Sequence, residues 1–513
     1  MGGVPGESAQ HALEKLREEI ETHIRALGHP VAAQDDAELF DLTAASWRLA
    51  VEYGKLTLEI WNSARSIVRR VEDVAYRDHD RLGLFVRRAG GRETETLELR
   101  NLHSAGRRDR GADRNLFLKK FLGALGRQFP GWKFERVSHR SDREFSLSAR
   151  YARGLARRGT SAWAFLALAE SESPEAADSA LAFALIWLDW LRSHAERVTV
   201  SGLKLFLPPS AVELNAARAR ALDSRAFQLE LFEYRAEEDS LEPVAAEAGA
   251  DLGVHLVPRL AGERLLERHR DTLRALLGEW IERVAVVPDS AGMFLSVRVK
   301  GLEVARIEGD LAPRILYGLE GSVRDFRPGD EAALRAFVAS AVERRRPDNP
   351  VRTDDFYRLQ PERWLESLLV EDLTRLDSEL SPVMVYPQVP AITRAGRGLI
   401  DILAVTRGGR LAVIELKLHE EINLPIQALD YWLRVRELNG HQALSSSGFF
   451  PGVALDPRAP LLYLVSPGLR FHSTTSCTLR YFDPAIEVRR VGIGSDWRNG
   501  IKVLFRKAGR AGL

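Results

Sequence analysis

The sequence predicts an α/β chain of multi-domain, α+β character that ends in a mixed sheet flanked by helices. Short apolar runs of strand length alternate with longer helical periodicities along most of its 513 residues. Two of those runs close a hairpin, Gly398 to Val405 and Leu411 to Leu418, across a Gly408-Gly409 turn. The order of elements around this hairpin also recurs earlier in the chain, so the same small fold is expected twice.

Residues 8–27 read as one amphipathic helix and 28–42 as a linker, together an amino-terminal segment 1–42. Alternating runs at Trp47 to Val51, Leu56 to Trp61, Leu82 to Arg87 and Leu97 to Leu99 predict a small β-rich module over 43–112. Over 113–235 the pattern predicts a helix (Leu116 to Leu125), strands near 144–152 and 162–169, and a long apolar helix (Ala176 to Arg192). Strands at 198–207 and 226–234 follow. The acidic, alanine-rich stretch 236–251 reads as a linker. An α+β module over 252–360 comprises a helix (Glu263 to Val284), strands at Phe294 to Val299, Glu303 to Ile307 and Ile315 to Leu319, and a helix (Asp330 to Arg344). The hairpin module occupies 361–507.

Composition sets bounds on function. At 45% hydrophobic residues the chain can bury several cores, and no apolar run reaches the ~18–20 residues of a membrane span. Its start lacks the basic-then-apolar pattern of a secretory signal. The single cysteine, Cys477, excludes a disulfide framework, a cysteine-rich zinc site and a cysteine-ligated cluster, so a cytoplasmic protein with no membrane partner is expected. The net charge is only +1, yet residues 61–160 carry 24 Lys or Arg against 12 Asp or Glu. Arg107, Arg108, Arg110 and Arg114 fall in that stretch, which fits either a polyanion contact or a solvated arginine-rich surface. No H-E-x-x-H pair and no phosphate-binding Gly-rich loop with Lys-Ser/Thr occurs. His139, His419 and His441 read as surface residues, and Trp187, Trp190 and Trp432 as core.

Residues 113–169 lie on 363–419 at one offset of 250 positions. Helix, strands, glycine turn and apolar strand then coincide. Asp189 to Arg192 falls beside Tyr431 to Arg434, and Gly202-Leu203-Lys204 beside Gly468-Leu469-Arg470. At that offset Asp401 meets Tyr151, Glu415 meets Phe165 and Lys417 meets Ala167. The amino-terminal copy is therefore expected to be degenerate.

Side chains alternate across a strand, so Glu415 and Lys417 share one face and Leu416 takes the other. Ionisable groups inside apolar strands are costly unless paired, solvated or bound to a metal. Asp401 comes from the partner strand, and two carboxylates with one lysine then converge as in a divalent-metal hydrolytic site. Helix Pro361 to Leu380 carries Glu366 within its apolar face, as a third carboxylate or an edge residue reaching solvent. Gln427 and Tyr431 stand four apart on helix Ile422 to Leu438 and share a face.

Asp401 followed by Glu415-Leu416-Lys417, with Glu366 on the preceding helix, resembles the PD-(D/E)xK, restriction-endonuclease-like nuclease superfamily. The wording is most similar to the catalytic part of mismatch endonucleases, while Gln427 and Tyr431 resemble the helix of RecB-type exonucleases. Ile400 stands where the family's proline would be, and the resemblance covers only about 145 residues. It implies a restriction-endonuclease-like mixed sheet and a Mg²⁺- or Mn²⁺-dependent nuclease acting on DNA in repair, restriction or defence. RNA is left open as a substrate, and a homodimer is allowed for. Asp401, Glu415, the Leu416 backbone carbonyl and Glu366 would hold metal, Lys417 would serve the attacking water, and Gln427 and Tyr431 would position substrate. Two other readings stand beside this one: a catalytically silent nucleic-acid-binding or assembly protein built on nuclease-like folds, and a buried ion pair in an unrelated fold.

Overall fold

The computed structural model describes residues 5–509 except 28, 35–36, 53–54, 62–65, 78–80, 89–94, 102–104, 143–145, 195–197, 246–247, 250, 257–258, 290–291, 311–312, 320–321 and 394–395. It is a mixed α and β protein, and among the described residues no helix is long and apolar enough to cross a membrane. The chain gathers into two units. The first comprises 1–112, 265–289 and 293–363; the second comprises 113–264, 290–292 and 364–513.

The first unit holds two antiparallel sheets. One has seven strands, in the order Ala37–Asp41, Pro30–Gln34, Glu95–Asn101, Arg81–Arg88, Ser66–Arg77, Lys55–Trp61 and Ser46–Glu52. Leu56, Leu58 and Ile60 alternate inward with Leu82, Leu84 and Val86, and Ile20 and Ile24 of helix Pro5–Ala26 cover them. The expected linker 28–42 is thus corrected to two strands, because Pro30–Gln34 is hydrogen-bonded on both sides and buried along its length. The second sheet, Ala285–Pro288 to Arg324–Asp325, has five strands and packs on helix Glu331–Arg344. The single helix expected over 263–284 is broken into Leu260–Arg268, Arg270–Leu277 and a 3₁₀ turn. The break falls at His269, which is buried with its ring on the Gly309 carbonyl at 3.0 Å.

The second unit contains the same six-strand arrangement twice, with one extra edge strand, His255–Leu256, beside Leu380–Thr393 in the carboxy-terminal sheet. In the amino-terminal half the strands run Lys133–Ser138, Tyr151–Arg158, Ser161–Leu168, Thr199–Leu207, Gln228–Arg235 and Ser240–Pro243 in spatial order. In the carboxy-terminal half they run Leu380–Thr393, Gly396–Thr406, Leu411–Leu416, Leu461–Pro467, Val488–Ile493 and Val503–Ala508. Both halves pair antiparallel, antiparallel, parallel, parallel, antiparallel along those lists. Helices Pro174–His194 and Leu424–Gly440 make the first crossover, and Pro209–Ala219 and Thr475–Arg480 the second. These four helices pack together, and one apolar core runs through both halves.

Several expectations change here. The linker 236–251 contains Ser240–Pro243, which closes the amino-terminal sheet, and helix Pro209–Ala219 was not anticipated. Helix Pro361 to Leu380 ends at Glu371, because Asp372 turns extended and its carboxylate accepts the Thr374 N–H, starting a short 3₁₀ turn. Gly202 lies inside its strand whereas Gly468 follows one, so that part of the repeat alignment is fortuitous. Helix Ala105–Gln128 includes Arg107, Arg108 and Arg110, whose side chains lie outside the described residues. Arg114 is engaged by Glu172 at 2.5 and 2.9 Å.

Candidate active site

Asp401 and Glu415 meet because of strand register. The hairpin pairs Ile402 with Ile414 and Val405 with Leu411, and one further step sets Asp401 opposite Glu415. Opposite residues on antiparallel strands share a face, here that of Leu411 and Val413, which pack beneath helix Leu424–Gly440. The Leu416 N–H donates to Asp401 Oδ2 at 3.0 Å. In an extended strand the N–H and C=O of one residue point to the same side, so the Leu416 carbonyl faces Asp401 as well. Lys417 Nζ lies 3.7 Å from Glu415 Oε1; the lysine side chain is 16% exposed and the glutamate 1%. Solvent therefore reaches the lysine while the carboxylate is buried beside it.

Glu366 reaches this site through an intermediary that sequence reasoning missed. Gln388 lies opposite Asp401 in the register set by Pro387–Ile402 and Val389–Ile400, and its φ is +55°. A left-handed, non-glycine residue inside a strand costs on the order of 1–3 kcal/mol and persists only where its surroundings enforce it. Its Nε2 donates to Glu366 Oε2 and approaches Asp401 Oδ1 at 3.5 Å. The amide thus links the two carboxylates. The only trace in sequence is the interrupted Pro387-Gln388-Val389-Pro390 pattern, which signals an irregular strand and no more. Among the described residues no group of three or more His, Cys, Asp or Glu side chains is disposed to hold one metal ion. The carboxylate pair and the Leu416 carbonyl remain as an all-oxygen donor set, while Glu366 stands behind Gln388.

Helix Leu424–Gly440 brings Gln427 and Tyr431 over the same face, with Gln427 Nε2 donating to Tyr431 Oη at 3.3 Å. Burial first, and the negative charges of Glu415 and Asp401 next, push the Tyr431 phenol above its ordinary value, so it keeps its proton. Arg434 anchors this helix by donating to the Ala391 carbonyl at 3.0 Å. His419 lies 3.8 Å from Glu421, and the neighbouring imidazole is the chief cause holding that carboxyl below its ordinary value. Trp187 and Trp432 are core residues, each donating its indole N–H to a backbone carbonyl.

Among the described residues the amino-terminal half has no such pair, and its strand faces correct the alignment. Phe165 and Ala167 lie on the face with Phe121 and Trp163, whereas Ala162, Leu166 and Leu168 lie beneath the long helix. In each hairpin the last pair on that helix face is Arg157 with Ala162, or Val405 with Leu411. Four residues further along both strands stand Arg153 and Leu166 where the other half has Asp401 and Glu415. A one-residue slip exchanges faces, which is why the fixed offset gave Tyr151 and Phe165. Arg153 is 5% exposed, donates to the Arg140 and Ser148 carbonyls at 2.6 and 3.2 Å, and lies over the Trp187 ring.

No protein-family model and no curated protein matches the chain.

Proposed function

We propose that this chain is a divalent-metal-dependent nuclease that hydrolyses phosphodiester bonds of DNA, with its centre on a restriction-endonuclease-like fold spanning 361–507. One observation carries the reading: Asp401 and Glu415 are opposed on adjacent strands, with the partly exposed Lys417 beside Glu415. Paired carboxylates and a carbonyl are hard oxygen donors, which fit Mg²⁺ or Mn²⁺. Asp401, Glu415 and the Leu416 carbonyl would hold the ion. When bound, it supplies Lewis acidity toward a phosphate oxygen and a more acidic water.

The remaining work falls to the protein. Lys417 orients the attacking water, takes up its proton, and offsets charge building on the phosphorus oxygens. Gln388 fixes the Asp401 carboxylate, with Glu366 behind it. Gln427 and the protonated Tyr431 offer donors to the substrate backbone beside the carboxylates. In-line attack leaves a 5′-phosphate.

Incubation of the full chain with plasmid and single-stranded DNA, in Mg²⁺ or Mn²⁺ and in chelator, tests this. Metal-dependent cutting is expected, lost in Asp401→Ala and Lys417→Ala while their melting stays cooperative. Cutting by Asp401→Ala at the wild-type rate would refute the site.

A further inference from the structure

We infer that the second unit is an internal pseudo-dimer with one competent and one charge-reversed half, and that it therefore nicks one strand of duplex DNA per binding event. The inference rests on the nuclease reading above.

The contact between the halves is reciprocal. Leu222 and Phe482 form an isolated antiparallel bridge; Asp223 N–H donates to the Tyr481 carbonyl and Asp483 N–H to the Ala221 carbonyl, both at 2.9 Å. Each three-residue segment follows the second crossover helix of its own half. Each aspartate then caps the same turn, Asp223 accepting from Arg225 N and Asp483 from Ala485 N. Two ion pairs flank the bridge in opposite senses. Arg218, from the second crossover of the amino-terminal half, meets Asp430 on the first crossover of the other half, and Arg480 likewise meets Asp189. A contact in which i meets j and j meets i is the signature of a two-fold arrangement.

Two-fold proteins meet duplex DNA along its own dyad, one half for each strand. Only one half has carboxylates at the two opposed hairpin positions. At the Asp401 position the other presents the buried Arg153 guanidinium, and at the Glu415 position Leu166. A fixed cation repels a metal ion, and its bonds to the Arg140 and Ser148 carbonyls hold it there. Water adds across one P–O3′ bond, giving a 5′-phosphate and a 3′-hydroxyl on one strand while the opposite strand stays intact. Water is the only co-reactant.

The test is a time course on supercoiled plasmid with Mn²⁺, at protein concentrations where mass photometry reports a single 57.4 kDa chain. Open circles should accumulate first, with linear DNA appearing only as later independent nicks coincide. Linear DNA formed together with open circles, in a ratio independent of enzyme concentration, overturns the inference and leaves the nuclease reading standing. So does cutting restricted to single strands. Absence of Asp401-dependent cutting on any substrate removes the reading and the inference together.

Discussion

Replacing Arg218 by alanine should destabilise the second unit more than any other change at the contact between its halves. Arg218 is 1% exposed and makes four bonds: to Asp430 Oδ1 and Oδ2 at 2.7 and 2.6 Å, to the Asp178 carbonyl at 2.8 Å and to Asn215 Oδ1 at 3.3 Å. Alanine would leave the Asp430 carboxylate, 12% exposed, without its counter-charge, and the Asp178 carbonyl without this donor. Removing one member of a buried pair costs about 3–5 kcal/mol. For a folding unit of this size that is a fall in Tm on the order of 10 °C. Thermal unfolding can be followed by calorimetry, with intrinsic fluorescence, to which Trp187, Trp190 and Trp432 of the first-crossover helices contribute, as a second probe. The paired change Arg218→Met with Asp430→Leu removes both charges and fills the space, so most of the stability should return. A single variant within about 1 kcal/mol of wild type, or a double variant as unstable as the single, would refute the reasoning.

Three further outcomes follow from the geometry. Burial pushes the Asp377 carboxyl up, but the Glu379 N–H, Arg489 at 2.6 Å and the Tyr463 hydroxyl at 3.1 Å together hold it below its ordinary 3.8. Its stabilisation is thus present above about pH 4 and lost as pH falls through the depressed value. The stability gap between wild type and Asp377→Asn in urea should therefore shrink toward pH 3; a gap independent of pH contradicts this. In Gly398→Ala the new Cβ falls onto Arg434 Nη1 and 3.0 Å from the Tyr431 ring, displacing the bond to the Ala391 carbonyl. Calorimetry should show a loss of about 2 kcal/mol, and an unchanged Tm would argue against it. Gln388→Ala should raise the Mn²⁺ concentration for half-maximal cutting roughly tenfold with kcat little altered, whereas equal loss in both would deny it a positioning role.

The ionisable triad could be read from the sequence because charges inside otherwise apolar strands stand out, and the strand period fixes their common face. Gln388 could not be, since its role depends on a left-handed backbone that no residue type announces. Strand Ser66–Arg77 escaped because two register shifts, at Val71/Asp73 and Val74/Tyr76, break its period of two. Pro30–Gln34 looked like a linker because its burial comes from strands distant in sequence. The repeat was visible as an order of elements, yet its residue correspondence slipped. The hairpins differ by one residue between their last helix-face pairs, and one residue is enough to exchange faces.

Because the chain leaves each unit and returns to it, neither can be excised as one continuous stretch. Residues 113–264 emerge from the ribosome well before 364–513, with which they share a core, so nascent apolar helices such as Pro174–His194 must wait for their cover. A fragment starting at residue 361 would keep every candidate catalytic side chain. It would also lay bare the helix surface that the amino-terminal half occupies. Expression of the isolated catalytic segment should therefore give aggregates, and soluble material should require the uninterrupted polypeptide or both pieces made together.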